Sequence, residues 1–142
     1  GGGTACDGGR PTRVASSVGA PVMAAFVLWC RLQAPLACKG SAFGVDLFSK
    51  ETAESVMQPR ISGTDLVLGV PIAFGLGFGL NSEVMPLSPN QNTCFWGGWG
   101  GSSVVVDQDA SLSASFVMNK MFPGLMGDTR SFGLLQAVYQ SL

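Results

Sequence analysis

The sequence predicts an α+β fold, with helices flanking a partial antiparallel sheet of about three strands. Two features near the C-terminus carry most of this prediction. Residues 103–106 and 111–119 are two β-prone runs separated by a four-residue turn, which is typical of an antiparallel hairpin. Apolar residues at helical spacing then follow. With 142 residues, 46% of them hydrophobic, the chain is long enough for one domain with a buried core.

The first 33 residues differ in composition from the rest, and we predict an irregular segment over 1–33 before a domain over 34–142. Glycines at positions 1–3 and 8–9 favour a loose start. Pro21 and Pro35 bracket residues 22–34, which are apolar enough for a short buried helix although their apolar side chains form no single stripe.

Residues 49–58 predict a short helix. Ser49 is a suitable N-cap, Glu51 and Glu54 lie in the first turns, and Pro59 ends the run. A polar loop over residues 60–65 follows.

Residues 74–80 alternate strictly between large apolar residues and glycine, which predicts a third strand. Phe74, Leu76, Phe78 and Leu80 would share one face of that strand. The opposite face would carry only glycines, which favours the close approach of another backbone or of a ligand. A mobile glycine-rich loop is the alternative interpretation.

The hairpin and the terminal helix have their own patterns. In the second hairpin strand, one face would carry Leu112, Ala114, Phe116 and Met118. Asp128 is a good N-cap for the terminal helix, and a buried stripe is predicted for that helix. The stripe consists of Leu134, Leu135, Val138 and Leu142.

Composition excludes several classes of function. The formal net charge is −1, so the chain lacks the basic face that nucleic-acid binding needs. Histidine is absent, which excludes Ser-His-Asp and Cys-His catalytic sites and histidine metal ligands within the chain. Only 12% of residues are charged, about half the usual share, which indicates that much of the surface lies against other protein. We predict no metal and no cofactor.

The four cysteines are Cys6, Cys30, Cys38 and Cys94, and no C-x-x-C pair exists among them. Their spacing leaves all three possible disulfide pairings open. We favour buried free thiols in a reduced, cytoplasmic compartment. The alternative is an exported protein, because residues 14–30 are uncharged and follow two arginines, as in a signal peptide. This run is too short and polar for a membrane span, and we predict no membrane partner.

No complete nucleophile motif occurs in the chain. The S-x-x-K motif is absent because the residues three positions before the three lysines are Leu36, Leu47 and Val117. The sequence lacks G-x-S-x-G, Y-x-N and the phosphate-binding G-x-x-x-x-G-K. Asp107 and Asp109 form a carboxylate pair, but a pair in a turn is expected to be solvated rather than catalytic.

One unusual constellation remains, in which two tryptophans stand among four glycines. It reads Trp96-Gly97-Gly98-Trp99-Gly100-Gly101-Ser102. Glycines allow a ligand to approach peptide N–H groups closely, and such donors stabilise a developing oxyanion. The pattern is equally compatible with a tight core turn in which the tryptophans serve as packing.

At these residues the sequence resembles the serine β-lactamase-like hydrolases, in particular the class C-related, esterase-type carboxylesterases. The resemblance extends over about residues 36–142 and rests on four blocks in order. These blocks are residues 74–78, residues 95–102, residues 116–121, and Gly127-Asp128 followed by Ala137-Val138-Tyr139. It implies the C-terminal portion of a β-lactamase-like, transpeptidase-like fold.

The resemblance also implies roles for the tryptophan-glycine block. Trp96-Gly97-Gly98 stands where the family has its third motif, K-T-G, which the esterase-like branch often replaces by H-x-G or W-G-G. This motif lies on the strand that lines the active site. The residue after it supplies an oxyanion-hole N–H, which falls on Trp99, and the Trp96 side chain would line the pocket. The terminal helix would pack on the sheet beside an N-terminal helix of the complete protein.

The family's nucleophile and lysine, in S-x-x-K, and its second motif are missing, so the chain holds no catalytic nucleophile. We therefore expect a fragment of a serine hydrolase that is inactive alone. The complete enzyme would form an acyl-serine from a small-molecule ester, amide or lactam, and the partner of this chain would be the missing N-terminal part of the fold. The alternative is a non-catalytic module that binds a small ligand or a protein through the tryptophan-glycine edge.

Overall fold

A six-stranded antiparallel sheet forms the centre of the protein in a computed structural model, which describes residues 20–123 and 129–142. In chain order the elements are α1 (Ala20–Ala37), β1 (Ser41–Ala42), β2 (Val45–Asp46), α2 (Lys50–Ser55), β3 (Ile61–Thr64), β4 (Pro71–Phe74), β5 (Gly79–Leu80), β6 (Thr93–Gly97), β7 (Ser103–Asp107), β8 (Leu112–Phe116) and α3 (Thr129–Gln140). The sheet is a meander in the order β3-β4-β5-β6-β7-β8, and β1 pairs with β2 separately.

The predicted α+β class with an antiparallel sheet and flanking helices is confirmed, but the prediction of about three strands was too low. The strands of the main sheet are only two to five residues long. Strands this short contain too few residues to show a clear alternation of apolar and polar side chains. The sequence pattern therefore does not predict them.

Helices cover both faces of the sheet. On one face, alternate residues of β6 and β7 pack against α1 and α2 in a cluster that includes Cys94, Val104 and Val106. On the other face, Phe95 and Val105 pack with Leu135 of α3 in a second cluster. The central strands β6 and β7 are therefore buried from both sides.

The run of alternating glycines is a hairpin and not the single predicted strand. β4 ends at Phe74, residues 75–78 turn, and β5 begins at Gly79, which pairs back with Phe74. The Gly75 N–H donates to the Phe78 carbonyl at 2.9 Å, and Gly77 adopts a φ of 81°. Only glycine takes that backbone conformation without strain, so the glycine that suggested a bare strand face instead closes a turn.

Two glycines of this hairpin permit close packing. A Cβ on Gly75 would lie 2.1 Å from the carbonyl oxygen of Val56, so another backbone does approach at that position, as the sequence predicted. A Cβ on Gly79 would lie 2.7 Å from the ring of Phe95, which packs over the glycine. The hairpin is thereby pressed against the segment after α2 and against β6.

The predicted helix near residues 22–34 is present and longer, as α1. Cys30 and Ala34 are buried, whereas Leu28, Trp29 and Leu32 are more than half exposed, so the helix is buried along one side only. It crosses the predicted boundary between residues 33 and 34. The division of the chain at that point stays a prediction.

The predicted helix at 49–58 is confirmed as α2, which ends earlier, at Ser55. Ser49 is its N-cap, since the Ser49 hydroxyl accepts the Thr52 N–H at 3.2 Å.

The terminal helix is confirmed as α3, but its predicted buried stripe is only half correct. Leu135 and Val138 are half-buried, whereas Leu134 is 44% and Leu142 58% exposed. Leu134 lies at the open cavity between α3 and the sheet, and Leu142 follows the end of the helix. The predicted N-cap, Asp128, lies outside the described residues.

The predicted hairpin is confirmed as β7 and β8, with shifted bounds. β7 continues to Asp107, the turn includes Ser111 at a φ of 50°, and β8 ends at Phe116, so Met118 lies beyond the strand. Asp107 is fully buried, so its expected solvation was wrong. The carboxylate is satisfied inside the protein because five donors point at it.

Cys30 and Cys94 are buried free thiols, as predicted. Cys38 is disulfide-bonded, so the expectation that all cysteines are reduced was wrong. Within the described part of the chain, no helix combines the length and the apolar character that crossing a bilayer requires.

Candidate functional site

The tryptophan-glycine block forms the end of β6 and the turn into β7. Gly97 is the last residue of β6, and the Gly98 N–H donates to the Ser102 carbonyl at 2.9 Å. The Gly101 N–H donates to the Gly98 carbonyl at 3.1 Å, which closes the turn. Gly100 and Gly101 have φ values of 95° and 109°, which explains the glycine pair, because other residues strain at such angles.

Both indoles of this block reach solvent. Trp96 is 51% and Trp99 69% exposed. The Phe74 ring lies 6.1 Å from the Trp96 ring, between centroids, at an interplanar angle of 56°. This is an ordinary tilted aromatic pair. These exposures do not fit a core turn in which the tryptophans are packing, and they leave an aromatic rim at the end of the sheet.

The peptide N–H of Trp99 makes no hydrogen bond to any residue in the described part of the chain. The N–H groups of Gly98, one residue before Trp99, and of Gly101, two residues after it, are occupied by bonds within the turn. Trp99 therefore carries a peptide donor beside an exposed aromatic rim. A donor in such a place can receive a negatively charged oxygen of a ligand.

A cavity of about 290 Å³ opens between the sheet and α3. Its walls come from β6, β7, β8, α3 and the loop before β6, and they are mostly apolar. Trp96 and Gly97 belong to its lining at the end of β6. The main side chains around it are those of Phe95, Val105, Ala114, Phe116, Leu135 and Val138.

The carboxylate pair of the hairpin lies far from the glycine turn. Asp107 pairs with Thr93, at the start of β6, whereas the glycine turn follows the end of that strand. The Asp107 carboxylate accepts hydrogen bonds from Ser88, Asn90 and Tyr139 and from two turn N–H groups, all at 2.8–2.9 Å. These hydrogen bonds give Asp107 a structural role, and it does not belong to the candidate site.

Burial alone would raise the pKa of Asp107, but the hydrogen bonds from the Ala110 N–H, Asn90, Tyr139 and Ser88 outweigh it and lower that pKa. Tyr139 shows the opposite shift, because burial removes water that would stabilise the phenolate and raises its pKa. At neutral pH the carboxylate is thus charged and the phenol neutral. The phenol can therefore donate its proton to the hydrogen bond that the carboxylate accepts.

Metal binding has no support in the described residues, where no three or more histidine, cysteine, aspartate or glutamate side chains come together.

The structure brings Trp96, Gly97, Gly98 and Trp99 together at one edge, in accordance with their spacing. Sequence reasoning missed two contributors. Phe74 joins the rim from another hairpin, and residues 118–122 pack under the glycine turn. Neither follows a spacing rule, because both come from elements distant in sequence.

Comparison with solved structures finds close similarity over most of the chain. A novel penicillin-binding protein homologue from Caulobacter crescentus is 35% identical with a TM-score of 0.75, over 80% of this chain and 31% of that one. A family VIII carboxylesterase is 30% identical with a TM-score of 0.74, over 80% and 30%. EstA from Arthrobacter nitroguajacolicus Rue61a is 26% identical with a TM-score of 0.65, over 79% and 30%.

This chain spans about 30% of the length of these structures. No protein-family model matches it, and no curated protein does.

Proposed function

We propose that this chain, which belongs to the β-lactamase-like serine hydrolases and corresponds to the C-terminal part of their fold, supplies one wall of an acyl-transfer site. The observation that carries this proposal is the N–H of Trp99, which has no hydrogen-bond partner within residues 20–123 and 129–142, beside two exposed indoles. In the complete enzyme this N–H donates to the oxygen on which negative charge develops.

The proposed reaction runs through an acyl-serine. The serine oxygen, from outside this chain, attacks the carbonyl carbon, and the carbonyl π electrons move onto oxygen. The resulting oxyanion accepts the Trp99 N–H. When the carbonyl re-forms, the bond to the leaving group breaks, and the leaving oxygen or nitrogen takes up the proton that the serine hydroxyl gave to a base outside this chain. Water then attacks the acyl carbon, the bond to the serine oxygen breaks, the acid is released, and one proton of the water returns to the serine.

The substrate is a small ester, amide or lactam, and the rim favours an ester with an apolar group. Trp96, Trp99 and Phe74 offer aromatic surface to such a group, which gains free energy by leaving water. Trp96 also replaces the lysine of K-T-G, so this position presents no positive charge to an anionic substrate.

The partner we propose is the remainder of the same fold. The outer edge of β8 has no neighbouring strand among the described residues, and the cavity beside α3 has apolar walls. Unpaired sheet edges and open apolar cavities of this kind are normally covered in a stable protein. Since the matched structures are about three times as long, they have ample chain to cover both.

The proposal is tested by labelling the native protein with a fluorophosphonate, a probe that bonds to activated serines. We expect a labelled polypeptide of about three times this length that contains the peptides of residues 20–142 and carries the label outside them. The isolated chain should neither label nor hydrolyse nitrocefin or a p-nitrophenyl ester. Turnover by the pure isolated chain would overturn the fragment interpretation, and an unlabelled native protein would favour the non-catalytic binding module.

A matched pair of variants in the native protein tests the role of the Trp99 N–H. Trp99→Pro removes the donor, whereas Trp99→Phe keeps it and retains an aromatic side chain. We expect kcat to fall by about 10²–10³ in the first, as for other oxyanion donors, and to stay within a few-fold in the second. Equal losses in both variants would show that the N–H has no special role.

A further inference from the structure

The segment over residues 117–122, which follows β8, packs directly under the glycine turn. Most of this segment belongs to one of the blocks of the sequence resemblance, residues 116–121. Its contacts are with Gly100 and Ser102, the residues that follow Trp99 in the turn.

Two methionines fill the space where Gly100 has no side chain. A Cβ on Gly100 would lie 2.9 Å from Cε of Met118 and 3.0 Å from Cε of Met121. Since an added Cβ would meet the methionine side chains at these distances, the two methyl groups lie against the backbone of the turn. Methionine suits this place because its unbranched, polarisable side chain adapts to an irregular gap.

Hydrogen bonds fix the same segment to the turn. The Ser102 hydroxyl donates to the Met118 sulfur at 2.8 Å. The Phe122 N–H donates to the Gly100 carbonyl at 2.8 Å. The segment is itself held from α3, where the Arg130 guanidinium donates to the Lys120 carbonyl at 3.0 Å.

Such support matters because the turn has little stiffness of its own. Gly98, Gly100 and Gly101 have no side chains, and glycine is the residue with the widest choice of backbone conformations. An oxyanion donor must point at the place where charge develops, and a shift of about 1 Å in a reacting group can cost about 100-fold in rate.

We propose that Met118 and Met121 are positioning residues that hold the glycine turn, and with it the Trp99 N–H, in place. This inference deepens the proposed function and rests on it for its catalytic consequence. The mechanical part, that the two side chains restrain the turn, depends on the contacts alone and is tested separately.

The mechanical part is tested in the native protein by hydrogen exchange at the Gly98 and Gly101 amides, which are bonded within the turn. Met118→Ala and Met121→Ala should each speed exchange at these amides by about tenfold or more, since local opening becomes easier. Met121→Leu, which restores the bulk, should return the rate to near that of the parent. Met85→Ala is the control, because Met85 is half-buried but belongs to the loop before β6.

Unchanged exchange in both alanine variants would overturn the proposal, whatever the fate of the proposed function. An equal effect of Met85→Ala on exchange would also overturn the proposal, because the faster exchange would then reflect a general loss of stability and not a local effect on the turn.

The catalytic consequence is tested in the native protein with the same variants. Because the donor acts on the transition state, Met118→Ala and Met121→Ala should lower kcat by about 10- to 100-fold and leave KM within about twofold. Met121→Leu should restore kcat. A rise in KM alone, or no change in kcat despite faster exchange, would overturn the positioning role, whereas absence of fluorophosphonate labelling in the parent protein would count against the proposed function instead.

Discussion

Asp107 shows how one side chain can join parts of the chain that lie far apart in sequence. Its buried carboxylate accepts hydrogen bonds from Ser88 and Asn90 in the loop before β6 and from Tyr139 in α3. It also accepts the N–H groups of its own turn. A buried charge is stable only when it is well bonded, so these donors have to be in place together.

Replacing this carboxylate should be costly. In Asp107→Asn, the amide nitrogen replaces one carboxylate oxygen and cannot accept the hydrogen bonds that this oxygen received. We therefore expect the free energy of unfolding at pH 7 to fall by about 2–4 kcal/mol. Tyr139→Phe removes only one donor and should cost about 1–2 kcal/mol. Urea unfolding measures both, and equal effects of the two variants would contradict the central position of Asp107.

The same variant has a pH signature. Since the folded pKa of Asp107 is lowered, its contribution to stability is complete above the unfolded value of about 3.9 and disappears as the pH falls through the folded pKa. The difference in stability between the parent and Asp107→Asn should therefore shrink below about pH 4. A difference that stays constant down to pH 2 would mean that the bonds of Asp107 do not favour its charged form.

Helix α3 is an element whose stability rests on few contacts. Only Ser131 of this helix is buried, and its two half-buried apolar residues face the cavity. Gly133 lies in its interior, and a Cβ there would meet nothing within 4 Å. Glycine in a helix interior costs about 0.8–1 kcal/mol relative to alanine.

Gly133→Ala should therefore stabilise the native protein by about 0.5–1 kcal/mol. Gly75→Ala is the matched control, because its Cβ would collide with the Val56 carbonyl, and it should destabilise by about 1–3 kcal/mol. Thermal or urea unfolding measures both changes. A destabilising Gly133→Ala would indicate that something packs on this side of α3.

At the scale of the molecule, many large apolar side chains of the described residues are exposed. Leu28, Trp29 and Leu32 are exposed along α1, and Phe132 and Leu134 along α3. Soluble monomers seldom expose apolar patches beyond a few hundred Å². In a protein with the length of the matched structures, further chain is available to cover these surfaces.

The isolated chain should consequently bind the dye ANS and be poorly soluble. Co-expression with the proposed partner, the remainder of the fold, should abolish dye binding and give one soluble complex on gel filtration. A soluble, monomeric isolated chain with no ANS fluorescence would contradict this expectation, and it would also weaken the proposed partner. The cavity beside α3 would then have to be an ordinary feature of a self-sufficient domain.

Much of the fold followed from local patterns. Three elements are each marked within one short stretch of sequence: α2 by its cap and the proline after it, β7 by its β-branched run, and α3 by the spacing of its apolar residues. The hairpin at residues 71–80 escaped this reasoning, because the alternation of Phe74 to Leu80 is the same in a strand and in two short strands joined by Gly77. Likewise, nothing near Asp107 in the sequence predicts the donors that make its burial stable.

The local spacing of this sequence predicted its α+β class, and the blocks that include Trp96 to Trp99 resemble those of the β-lactamase-like hydrolases, because both signals lie in residues close together in the chain. Only the folded structure could reveal the six-stranded meander, the burial of Asp107 and the support of the glycine turn by Met118 and Met121. The physical reason is that these features arise from contacts between distant segments, whose energy depends on which surfaces meet and not on any pattern within one segment.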